Sequence, residues 1–115
     1  MDKDRPIEEV CALLKSLLKD DTNQIIFCTG RVEDYREKTI EQINKILKGN
    51  KNINIDSCLY MRPQGDFRKD FMVKRDLYKK MIFDGFNPVL VFEDKITVVE
   101  MWKEMGLKCL RVTGA

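Results

Sequence analysis

The 115-residue sequence contains no histidine, and no apolar run in it approaches the ~18 residues of a membrane span. Without histidine, Ser/His/Asp and Cys/His nucleophilic machinery is excluded, and because no two of the four cysteines lie near each other a zinc site of the usual kind is excluded too. Cysteine is sparse and scattered: Cys11, Cys28, Cys58 and Cys109 have no metal-binding or disulfide-framework spacing. Cys28, Cys58 and Cys109 lie in apolar, strand-like contexts and read as buried reduced thiols. Proline occurs only three times, and with 43% hydrophobic and 35% charged residues the composition is that of a soluble globular protein. Net charge is also small, +2 from 21 basic and 19 acidic residues, which argues against bulk electrostatic binding of duplex nucleic acid while leaving a local basic patch open. No secretory pattern opens the chain, so the expected location is cytoplasmic, with no membrane partner. Any chemistry must run on carboxylates, lysine, arginine, hydroxyls and a metal.

The length suits one domain over residues 1–115. Pro6 fits a first helical turn, and Ile7, Val10, Cys11, Leu13, Leu14, Leu17 and Leu18 recur at helical spacing to about Lys19. Asp20-Asp21-Thr22-Asn23 is turn chemistry, and Gln24–Cys28 reads as a strand buried on both faces. A helix is expected over Val32–Lys48 with Ile40, Ile43, Ile46 and Leu47 inward, ended by Gly49-Asn50-Lys51-Asn52. A strand follows over Ile55–Met61. The third helix, about Lys69–Phe83, carries Val73, Leu77, Tyr78, Met81 and Ile82 on its expected inner face. A strand Val89–Phe92, a helix Lys95–Met105 burying Val98, Val99, Trp102 and Met105, and a strand Lys108–Val112 complete an α-β-α-β-α-β-α-β order. The fold class is α/β, a three-layer Rossmann-like parallel sheet.

In such sheets ligands gather outside the carboxyl ends of the strands, and three polar clusters stand there. Thr29-Gly30-Arg31 follows a strand and opens a helix, offering a hydroxyl, a permissive glycine and a bidentate donor to a phosphate. The plain alternative is an ordinary βα loop. Lys74, in the first turns of the third helix, could hold a phosphate as a point charge or lie solvated on the surface. Arg62, Arg68 and Lys69 could rim an anionic substrate or simply be exposed. Glu93-Asp94, directly after Val89-Leu90-Val91-Phe92, are hard oxygen ligands suited to Mg²⁺, or acids favoured by a helix N-terminus.

Taken in order, Thr29-Gly30-Arg31, Met61-Arg62-Pro63-Gln64-Gly65-Asp66-Phe67-Arg68, Val73-Lys74 and Phe92-Glu93-Asp94 with Val98-Val99-Glu100-Met101-Trp102 resemble the haloacid dehalogenase-like phosphatases. The likeness is nearest to the 3′-phosphatase domain of phage polynucleotide kinase–phosphatases and runs from Lys3-Asp4-Arg5-Pro6 through Arg111-Val112-Thr113-Gly114. It implies a Mg²⁺-dependent phosphomonoesterase acting through an aspartyl-phosphate on a phosphorylated nucleoside or nucleic-acid 3′ end. Thr29 matches the phosphate-binding hydroxyl, Arg31 the arginine after it, and Lys74 the lysine that stabilises phosphate and nucleophile. Asp70 matches an acidic position at the same helix start, and Glu93-Asp94 match the acids that hold Mg²⁺, Asp94 foremost.

The departure concerns the nucleophile. The family opens with a strand ending in Asp-x-Asp-Gly-Thr, whose first aspartate is phosphorylated. Here only Asp2-Lys3-Asp4 has the spacing, with no strand before it and no Gly-Thr after, and it reads as a lead-in to the helix at Pro6. That strand is central in the family order fifth, fourth, first, second, third. The expectation is therefore an N-terminally incomplete domain in which two strand pairs flank a gap. The gap would be filled by a missing N-terminal segment or a second chain, or closed by collapse. The chain is accordingly expected to be inactive by itself. The alternative is a non-catalytic binding or assembly module that keeps the phosphatase fold.

Overall fold

The computed structural model describes residues 12, 13, 15–17, 19, 20, 23–47 and 54–112. Residues 12, 13 and 15–17 are helical, in line with the second half of the expected first helix. Its first half, Asp2-Lys3-Asp4, the Asp21-Thr22 turn residues and Gly49–Asn52 lie outside the described residues. The remaining elements are β1 (Phe27–Val32), a 3-10 turn (Glu33–Tyr35), α1 (Arg36–Ile46), α2 (Ile55–Cys58), β2 (Leu59–Arg62), α3 (Asp70–Phe83), β3 (Leu90–Glu93), α4 (Ile96–Glu104) and β4 (Lys108–Arg111). No helix among the described residues is long and apolar enough to cross a membrane.

The fold is α/β with parallel strands, arranged as two pairs. β1 pairs with β2 (Phe27 opposite Leu59, Cys28 opposite Tyr60, Thr29 opposite Met61), and β3 pairs with β4 (Leu90 opposite Lys108 through Glu93 opposite Arg111). Among the described residues no ladder joins β1 to β3. Side-chain alternation along β1 and β2 sorts the core into layers. Phe27, Leu59 and Met61 meet Ile43 and Leu47 of the α1 segment and Ile55 of α2. Cys28 and Tyr60 meet Val73, Leu77 and Met81 of α3. A third cluster of Val98, Met101 and Trp102 on α4 covers Val91 and Cys109 of the other strand pair, and Cys28 touches it too. Helix α3 packs on β1, β2 and α4, so it bridges the two pairs.

Four expectations shift, each for a local reason. The strand expected over Ile55–Met61 begins only at Leu59, because Asn54 caps a short helix first. Its side chain accepts from the Ser57 amide (3.4 Å) and its carbonyl from the Ser57 hydroxyl (2.8 Å). Arg36 fastens that turn through Asp56 and the Leu59 carbonyl (2.9 Å). The strand expected over Gln24–Cys28 instead runs Phe27–Val32, since its partner β2 also starts late, and Thr29-Gly30-Arg31 therefore lies within the strand. The ladder steps from Thr29–Met61 directly to Val32–Arg62, leaving Gly30 and Arg31 as a bulge, so the helix expected from Val32 starts as a 3-10 turn and becomes regular only at Arg36. Finally, Ile82, expected inward, is 44% exposed. At about 100° per residue, Val73, Lys74, Leu77 and Met81 share one arc of α3 and Ile82 falls well outside it.

That difference is measurable. Met81→Ala should cost about 2–5 kcal/mol in urea unfolding, as expected for a buried methionine, whereas Ile82→Ala should cost less than about 1 kcal/mol. Equal losses would contradict the packing of α3.

Candidate functional site

The helix α3 begins next to the bulge of β1, and this closeness organises the polar residues. Arg62, the last residue of β2, extends its guanidinium into the space between them. Its Nε donates to the Gly30 carbonyl (2.8 Å), Nη1 donates to the carbonyls of Asp66 (2.9 Å) and Arg68 (2.6 Å), and Nη2 is ion-paired with Asp70. Four of the five donors of the fork are thereby engaged inside the protein. Asp70, the first residue of α3, also takes Lys95 Nζ on its other oxygen at 2.9 Å. Burial resists ionisation of Asp70. The hydrogen bond from Lys95, the charges of Lys95 and Lys74 and the hydrogen bond from Arg62 nevertheless hold its carboxyl below the ordinary carboxylate value.

One turn further along α3, Lys74 points inward rather than to solvent and is 9% exposed. Its Nζ lies 3.2 and 3.4 Å from the two carboxylate oxygens of Glu93, itself 7% exposed at the end of β3. Trp102 Nε1 (3.2 Å) and the Lys95 amide (3.4 Å) also donate to Glu93. Beside this pair stands Cys28, whose thiol burial pushes up to about 12, with Lys74 partly opposing. The thiolate is thus suppressed, and Cys28 is a packing residue rather than a nucleophile. Cys58 and Cys109 are free thiols raised in the same direction by burial.

The Thr29-Gly30-Arg31 triplet is brought to this region in part. The Thr29 hydroxyl accepts from the Arg31 amide (3.2 Å), which pins the bulge. Gly30 lies against Asp70: a Cβ there would meet Asp70 Oδ1 at 2.8 Å. Arg31 turns its guanidinium to α1, where Nη1 donates to Gln42 Oε1 (2.7 Å) and Thr39 Oγ1 (3.1 Å). With Phe27, Ile43 and Leu59 these residues line a cavity of about 230 Å³. Arg68, 44% exposed by side chain, is held by Asp66 and Asp76, each at 2.8 Å.

A Mg²⁺ ion, implied by the sequence resemblance, would find one exposed carboxylate here, Asp94, immediately after β3. Glu93 is committed to Lys74, Trp102 and the Lys95 amide, and Asp70 to Arg62 and Lys95. Among the described residues no group of three acidic or cysteine side chains is placed to hold a metal. The donors present do not form a cation site on their own. Two participants were missed in the sequence. Trp102 read only as core, although a buried indole N–H needs an acceptor, and that need was the available signal. Lys95 had none beyond following Glu93-Asp94.

Two measurements follow from this geometry. Because Asp70 is clamped by two cations and cannot swing aside, Gly30→Ala should destabilise by about 1–3 kcal/mol in chemical unfolding. No loss would show that the bulge and Asp70 are not in contact. Asp70 has a folded pKa below its unfolded one, so its stabilising contribution is complete above the ordinary carboxylate value of about 3.9. That contribution disappears as pH falls through the lowered value. Thermal unfolding from neutral to strongly acidic pH should therefore show a shallower acid decline for Asp70→Asn than for the native chain.

The profile of the polynucleotide kinase PNKP phosphatase domain, of haloacid dehalogenase type, matches residues 1–115. A bifunctional polynucleotide kinase/RNA ligase by name, from Autographa californica nuclear polyhedrosis virus, is 32% identical over 84 residues, 72% of this chain and 11% of the viral protein. Among solved structures, a chain of the Pnkp1/Rnl/Hen1 complex superposes with a TM-score of 0.76 at 28% identity, over 94% of this chain and 35% of that one. The chain thus spans only a minor part of both proteins. The match over its whole length makes it a member of the phosphatase-domain family of polynucleotide kinase.

Proposed function

We propose that this chain is the phosphate-handling part of a polynucleotide 3′-phosphatase, and that its substrate is the phosphorylated 3′ end of a nucleic acid in the cytoplasm. The observation that carries the reading is the buried Lys74, whose ammonium is held between α3 and the end of β3 by Glu93. A lysine kept out of solvent at that point is a fixed positive charge next to the strand ends, where a phosphoryl group in transfer needs one. Thr29, just before the β1 bulge, Gly30 within it, and Arg62, Arg68, Asp70 and Lys95 around the start of α3 shape the surroundings. Arg31 braces β1 to α1. Asp94 would give one carboxylate to Mg²⁺, whose role when bound is to offset phosphate charge. The remaining ligands would come from outside the described residues.

The reaction class implied is attack on phosphorus by an aspartate followed by hydrolysis of the aspartyl-phosphate. No aspartate of the described residues stands in a nucleophile strand. β1 and β3 each pair on one side only among these residues, and buried backbone groups require partners. We place an additional strand beside them, from a longer polypeptide or a second chain, and assign the nucleophile to it. Domain 1–115 on its own is then a phosphate-binding domain without turnover. A purely non-catalytic binding or assembly module is the second reading, supported by the commitment of Glu93 to Lys74 and of Asp70 to Arg62 and Lys95, which among the described residues leaves Asp94 without a free acidic companion.

The deciding experiment incubates the 115-residue chain with Mg²⁺ and oligonucleotides ending in 3′-phosphate or 3′-hydroxyl. Binding should favour the 3′-phosphate, with no phosphate released beyond background. Equal affinity for the two ends would overturn phosphate recognition. Robust turnover abolished by Asp2→Asn or Asp4→Asn would overturn the assignment of the nucleophile to another segment.

A further inference from the structure

Phe67 is 94% exposed, although it belongs to a loop held by several hydrogen bonds beside the site. The loop turns at Pro63–Asp66, where the Asp66 amide donates to the Pro63 carbonyl (3.2 Å) and Gly65 has a φ of 81°, a value that glycine tolerates. Both neighbours of Phe67 are then gripped by one group, because Arg62 Nη1 holds the carbonyls of Asp66 and Arg68 together. Asp66 also accepts from the Arg68 amide (3.1 Å) and guanidinium (2.8 Å). The ring is thus carried on a fixed backbone with no place in any of the three core clusters. The same Arg62 binds Asp70, so the loop that carries the ring is tied to the start of α3, beside the candidate phosphate site.

Singly exposed apolar side chains are ordinary, and exposure alone would mean nothing. Three facts together distinguish this one: the rigid mounting, the position three residues before the helix that carries Lys74, and the surroundings. Its chain neighbours are Asp66, Arg68 and Lys69, and Lys95 is 57% exposed by side chain across Asp70. Phe67 is the only large apolar side chain of its stretch Gln64-Gly65-Asp66-Phe67-Arg68-Lys69-Asp70, so its own loop supplies no contiguous apolar patch of the kind that marks a protein docking face. It matches instead the pairing of stacking platform and basic rim by which single-stranded nucleic acid is held. Resting on the phosphatase reading above, we infer that Phe67 stacks on the terminal nucleobase of a single-stranded 3′-phosphorylated end. The ring would hold the nucleotide while its phosphate reaches toward Lys74.

Fluorescence anisotropy of the 115-residue chain with 3′-phosphorylated single strands tests this, using one strand with an ordinary terminal base and one whose last nucleotide is abasic. Phe83, 90% exposed at the far end of α3, supplies the control. The native chain should prefer the strand with the base. Phe67→Ala should weaken that strand roughly 5- to 150-fold and leave the abasic strand unchanged, whereas Phe67→Tyr should keep the preference and Phe83→Ala should change nothing. Equal affinity of the native chain and Phe67→Ala for both strands overturns the stacking role, and an effect of Phe67→Ala confined to self-association assigns the ring to protein contact instead. The 3′-hydroxyl strands separate the two readings. A surviving preference for 3′-phosphate with no dependence on Phe67 removes the stacking alone, and binding of no strand at all removes both.

Discussion

A lysine ammonium and a glutamate carboxylate removed from water together impose the constraint on which this structure turns. Each ion alone would be costly to bury, and their mutual attraction offsets that cost only if the remaining oxygens and protons also find partners. Glu93 meets this condition with Lys74, the Trp102 indole and the Lys95 amide, and among the described residues no buried side-chain polar atom is left without a partner. The pair lies where α3, packed on β1–β2, meets the end of β3. Among the described residues no backbone ladder joins the two strand pairs, so the register between them is carried by side chains: this ion pair, the Asp70–Lys95 pair, and the apolar contacts of Cys28, Phe71 and Tyr78 with the α4 cluster. Apolar contacts are weakly directional, whereas a buried ion pair tolerates little displacement.

A second polar knot depends on the first for its location. Asp70 sits one helical turn before Lys74 on the same helix, so anchoring Lys74 to β3 places Asp70 against Gly30 and within reach of Lys95. Arg62 then closes the knot from β2 and stiffens the loop up to Arg68. The consequence for chemistry is competition. A phosphate approaching Lys74 meets Glu93 already on the ammonium, and two anions cannot share one lysine without further positive charge nearby. Lys95 and Arg62, both on Asp70, are the sources of that charge closest in the structure.

Much of this was legible in the sequence because it depends on periodicity and position. The spacing of Val73, Leu77 and Met81 identifies α3, and the run Val89–Phe92 followed by Glu93-Asp94 puts acids at a strand end. Long apolar patterns survive in the folded state because burial dominates local preference. The errors arose where one polar side chain outweighs a pattern. Asn54 turns a stretch of strand-like residues into a helical turn by capping it, and the Thr29 hydroxyl folds back on the Arg31 amide so that a presumed loop becomes a bulged strand. Partner choice was not legible either. Lys74 looked like many other lysines until Glu93, 19 residues away, was seen to hold it, and nothing in the spacing pointed to the contact of Arg31 with Gln42. Such pairings depend on tertiary approach, which no local spacing encodes.

The glycine of the Thr29-Gly30-Arg31 triplet shows how the two kinds of information join. From the sequence its value seemed conformational, a flexible residue at a helix start. In the structure the constraint is space: with Asp70 Oδ1 2.8 Å from where a Cβ would stand, only glycine lets the carboxylate reach both Arg62 and Lys95. A side chain at position 30 would push Asp70 outward along α3 and strain the seating of Lys74 one turn later, and with it the ion pair to Glu93. A residue with no side chain thus sets how closely β1 approaches α3. That approach decides whether the buried lysine is a fixed charge at the strand ends or an ordinary lysine on a helix.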